Sequence, residues 1–119
     1  MAGVLRVEVQ LRDDGTLAEV RASGHAGSAP AGTNIACAAA TALLRTAGGL
    51  LAGEGAARGA AGMPGEMQFT VSPPGAGGTD AAWLRGVSDF LLQGLRDLQR
   101  ERPEAVALTV RGGPPPARQ

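Results

Sequence analysis

The sequence predicts a small α+β domain, its elements in the order ββαβαβ, with a mixed four-stranded sheet packed with two helices. Three observations carry that prediction. Apolar residues alternate with polar ones in LRVEVQL (5–11) and EMQFTVS (66–72), the period of a half-buried strand. Leu84, Val87, Leu91, Leu95 and Leu98 recur at helical spacing. Turn-forming DDG, at Asp13–Gly15, separates the first strand from a second apolar run and marks an antiparallel hairpin.

The first strand is built on Val4, Val7, Val9 and Leu11, with Arg6, Glu8 and Gln10 between them. LAEVRAS (17–23) is its partner and ends at Gly24-His25. From there through Gly32 the glycines and Pro30 leave a loop. Thr33 and Asn34 are good capping residues ahead of IACAAATALLRTAGGLLAG, whose alanines favour helix. On that helix Ile35, Ala38, Ala39, Ala42, Leu43 and Leu50 are expected to share the inward face, and Gly48-Gly49 is a place for fraying or bending. Ala52 to Gly65 is a low-complexity connector with no reason to be ordered throughout. EMQFTVS then gives the third strand, Thr79 or Asp80 caps the second helix, Pro103 stops it, and AVALTV (105–110) is the last strand. One domain over 1–111 results, followed by a Gly/Pro-rich tail, 112–119, expected to be disordered.

A chain of 119 residues buries roughly two-thirds of its unfolded surface, enough for one core without disulfide or metal. A single cysteine cannot form an internal disulfide, which points to a reducing, cytoplasmic compartment. No signal peptide is evident, and no run approaches about 18 apolar residues, so no membrane contact is expected. Eleven basic residues, all arginine, balance eleven acidic ones, and three scattered aromatics offer no stacking platform. Direct nucleic-acid binding is therefore not expected.

The chemistry concentrates in SGHAGSAPAGTNIACAAATALL (23–44), which holds the sole histidine, His25, and the sole cysteine, Cys37. Only a thiolate is a strong nucleophile, and a helix start favours negative charge. Cys37 falls in the first turn of the predicted helix, three residues past Asn34. An imidazole folded back across the loop would take the thiol proton and return it to a leaving group. Backbone N–H groups at the helix start would receive the oxyanion. The competing account is structural: a lone cysteine among alanines is commonly a small buried hydrophobe, and a loop histidine a solvated surface group. Composition and spacing leave both open. A zinc site lacks ligands, and there is no nucleophile elbow or phosphate loop.

Gly24-His25-Ala26 after a strand, followed by Gly32-Thr33-Asn34-Ile35-Ala36-Cys37-Ala38-Ala39-Ala40-Thr41-Ala42-Leu43, resembles the ribosomal-processing cysteine proteases of the Prp family. Beyond 23–44 the resemblance is one of element order and length. It implies a bacterial homodimeric endopeptidase that removes the N-terminal extension of a large-subunit ribosomal protein, number twenty-seven of that series, so that ribosomes assemble. It implies Cys37 as nucleophile, His25 as general acid/base, and no cofactor or metal. Asn34 and Thr41 would support the pair; the family usually has Asp and Ser at these two places. Ala26, Gly27, Ser28 and Gly32 would belong to a loop covering the substrate peptide. The alternative is a non-catalytic ribosome-associated or dimeric binding module that keeps the protease fold.

Overall fold

The computed structural model describes residues 4–24, 35–59, 66–75 and 79–115. Strand β1 spans Leu5–Leu11 and β2 Leu17–Ser23. They are joined by a turn in which Arg12 and Thr16 close the hairpin and the Asp14 carboxylate accepts from both the backbone N–H and the hydroxyl of Thr16, at 2.9 and 2.6 Å. Helix α1 runs Ile35–Gly53, β3 is Ala57–Arg58, β4 Glu66–Val71, α2 Ala81–Glu101 and β5 Val106–Gly112. The sheet order is β3-β4-β2-β1-β5, antiparallel throughout except for the parallel pair β1/β5.

Five strands, not four, therefore make the sheet. The addition comes from the low-complexity connector, where Ala57 and Arg58 pair with Val71 and Thr70 of β4 and Ser72 N–H donates to Ala56 carbonyl at 2.7 Å. Ala56 is fully buried. Two residues are too few to show a period, so backbone pairing and one buried methyl make this strand without any sequence pattern.

β1 alternates buried and exposed residues along its whole length, with Leu5, Val7, Val9 and Leu11 inward. These pack with Leu17 and Val20 of β2, Phe69 and Val71 of β4 and Val106 of β5 beneath both helices. Each fully buried aliphatic side chain contributes about 1.5–3 kcal/mol relative to exposure. On α2 the expected stripe is present: Leu84, Leu91 and Leu95 are completely buried and Val87 and Leu98 pack against the core. Asp80 is the N-cap, accepting from Trp83 N–H at 3.0 Å, and the helix ends at Glu101, before Pro103.

α1 faces the sheet with different residues from those expected. Ala36, Cys37, Ala40, Leu44, Ala47 and Leu51 are buried, whereas Ile35 and Leu50 are 68% and 51% exposed. The helix is apolar around its whole circumference, with Arg45 its single charge, so periodicity does not select a face. Small side chains at Ala36, Ala40 and Ala47 let it approach the sheet while Leu44 and Leu51 fill the space. Gly48-Gly49 neither breaks nor ends the helix; a Cβ on Gly48 would stand 3.3 Å from the Phe69 ring, so the glycine makes room for that ring. By length and composition α1 would also suffice to cross a membrane, a feature not expected from the sequence, but its inward face forms part of the core.

Chain direction sets up the site. β2 ends, and α1, β1 and β5 begin, at one end of the sheet: Ser23 pairs with Arg6, and Leu5 with Val106. The opposite end is closed by Arg12, whose guanidinium donates to the carbonyls of Leu17 and Val71, and by buried Ser88, which accepts from Leu17 N–H at 3.0 Å and donates to Leu84 carbonyl at 2.7 Å.

Candidate active site

Cys37 is the third residue of α1, in the first helical turn, as its position after the capping pair predicts. It is only 5% exposed and belongs to the core cluster. Its Sγ donates to the carbonyl of Ala105, 3.5 Å away, just before β5. That carbonyl also accepts from Leu5 N–H at 2.9 Å. Thus the thiol is tied, through one backbone oxygen, to the first residue of β1. Thr41, one turn further along α1, donates its hydroxyl to the Cys37 carbonyl at 2.8 Å. This fixes the backbone of the turn that carries the thiol.

The same end of the sheet carries the exit of β2. Gly24, the last residue described there, has φ +78°, and a Cβ on it would lie 2.7 Å from the Val4 carbonyl oxygen. Both the left-handed conformation and the contact select glycine. The backbone thus leaves β2, immediately before His25 in sequence, in a conformation that other residues rarely adopt. His25, Ala26, Gly27, Ser28, Gly32 and Asn34 lie outside the described residues. Two contributors escaped the sequence reading. Ala105 acts through its carbonyl, which no side-chain pattern reveals, and Gly24 stood in the motif without its conformational requirement being evident.

A shallow depression of about 410 Å³ lies on the uncovered face of the sheet, lined by Arg6, Glu8, Arg21, Glu66 and Gln68 among others. These side chains point away from the helices, so this hollow and the inward-facing Cys37 are on opposite sides of the sheet.

The fold is that of a small α+β domain with its one thiol in the first turn of α1, at the end of the sheet where β2 ends. The chain is a member of the cysteine protease Prp family, whose model matches residues 4–107 and so encloses both His25 and Cys37. No curated protein sequence matches the chain. Among solved structures, SMU.848 from Streptococcus mutans is similar with a TM-score of 0.72 at 22% identity, over 92% of this chain and 95% of that one. The essential ribosomal processing protease Prp from Staphylococcus aureus, in complex with a covalently linked product peptide, gives 0.71 at 21% identity, over 91% and 100%. The same protease with a substrate peptide gives 0.69 at 20% identity, over 91% and 100%.

Proposed function

We propose that this chain is a cysteine endopeptidase acting in the bacterial cytoplasm, and that it trims the N-terminal extension of large-subunit ribosomal protein twenty-seven. The observation carrying the proposal is the family match across 4–107, which spans the only histidine and the only thiol, together with the helix-start position of that thiol. The Staphylococcus aureus relative, a ribosomal processing protease seen with substrate and with covalently linked product peptide, supports the same reaction class.

In the proposed reaction His25 takes the proton of Cys37, and the sulfur attacks the scissile carbonyl carbon. The negative charge moves to the carbonyl oxygen, which N–H groups at the start of α1 receive. As the C–N bond breaks, His25 returns the proton to the leaving amine, and the acyl group remains on sulfur as a thioester. Water, deprotonated by His25, then hydrolyses the thioester and restores the thiol. Thr41 supports the turn that carries the nucleophile.

The test is incubation of a peptide spanning the N-terminus of the host's ribosomal protein with wild type and with Cys37→Ala, read by mass spectrometry. A single internal cut by wild type alone is expected. A peptide left intact by both would turn the assignment toward a binding module that keeps the fold.

A further inference from the structure

The contact between Cys37 Sγ and the Ala105 carbonyl is more than packing. A carbonyl oxygen offers only lone pairs, so this hydrogen bond exists only while the sulfur carries its proton. Cys37 is only 5% exposed and belongs to the core cluster, so in this conformation little of it is open to a scissile peptide carbonyl. The acceptor is itself immobile. It is held by Leu5 N–H at 2.9 Å, and its residue ends a turn closed by Ala105 N–H and Val106 N–H, both donating to Arg102 carbonyl at 2.9 and 3.1 Å. Thr41 pins the Cys37 backbone from the other side.

We infer that the Ala105 carbonyl is a resting latch that holds the Cys37 thiol turned inward, and that the side chain must rotate about its Cα–Cβ bond before the sulfur can meet a substrate. The inference rests on the protease reading for its functional meaning, but the latch itself is a property of the resting chain. Because acceptor and helix backbone are both fixed, side-chain rotation is the cheapest way to open it. The thiol is a weak donor, so one such bond is readily exchanged when a peptide supplies new contacts. The device would keep the nucleophile from reacting with adventitious electrophiles until substrate is bound.

The chain has one thiol, so its S–H stretching band in the infrared reports Cys37 alone, with Cys37→Ala as the blank. The latch predicts one band in the resting protein, shifted to lower wavenumber than that of a cysteine in a short peptide in water. It also predicts that iodoacetamide alkylates the native chain at least about tenfold more slowly than the urea-unfolded chain at the same pH, since reaction waits on local opening. Pro103→Gly, which loosens the turn bearing Ala105, should move the band toward the free position and speed alkylation severalfold. A native chain with no S–H band, or with the band at the free position and alkylation as fast as unfolded, overturns the latch. Peptide cleavage is scored separately: a shifted band without cleavage upholds the latch and removes the protease assignment, while cleavage with an unshifted band does the reverse.

Discussion

Gly24 carries more of the site than its size suggests. Any side chain there must adopt φ +78° and push into the Val4 carbonyl oxygen. The left-handed conformation alone costs a non-glycine residue about 1–2 kcal/mol. Gly24→Ala is expected to lose at least that amount in urea denaturation, and to reduce peptide cleavage further per folded molecule because it alters the exit of β2 next to His25. Equal stability to wild type would refute the close contact. Asp14 offers a pH-dependent test at the other end of the sheet. Its hydrogen bonds from the Thr16 hydroxyl and N–H, assisted by Arg12, hold its carboxyl below the ordinary value of 3.8. A folded-state pKa lowered in this way gives stability that is present above the unfolded value and lost as pH falls through the folded one. Asp14→Ala should therefore destabilise at pH 6, with the difference from wild type shrinking as pH drops below about 4. Denaturation curves at several pH values check the sign.

The elements differ in how plainly the sequence announces them. β1 was legible because one face of it is buried and the other solvated, which writes an alternation into LRVEVQL. α2 was legible because its leucine stripe contrasts with charged residues on the opposite face. α1 could be recognised as a helix but not oriented: Ala and Leu on every side left Ile35 and Leu50 as plausible as Ala36 and Leu51 for the inward face. The position of Cys37 at the helix start was evident from the capping pair, whereas its inward aim and its carbonyl partner depend on that unreadable rotation. Ser88 gives the element-scale prediction. It is completely buried on α2 and is the partner of Leu17 N–H on β2. Ser88→Ala leaves that N–H unpaired and should cost about 1–3 kcal/mol in chemical denaturation. Because Leu17 lies at the end of the sheet away from Cys37, cleavage per folded molecule should be unchanged.

At the scale of the whole molecule, both helices pack on one side of the sheet, and among the described residues Arg6, Glu8 and Arg21 on the other side are exposed. On that other side Glu8 lies directly across from Arg21. Ile35, Leu50 and Phe90 stand exposed on the helical side, Phe90 at 71%. The resemblance to the Prp family implies a homodimer, and we propose that this chain forms one. Size-exclusion chromatography with light scattering should return twice the chain mass of 11.9 kDa; a species at the single-chain mass would contradict the dimer.

The central claim is that His25 and Cys37 work as one unit on a peptide bond. Cleavage of the ribosomal N-terminal peptide by wild type, His25→Ala, Cys37→Ala and the double variant tests it most directly. Residues that act together are non-additive, so each single change should cost on the order of 10³-fold or more and the double change scarcely more than either. Independent, multiplying losses, or a Cys37→Ala protein that cuts as fast as wild type, would contradict the account.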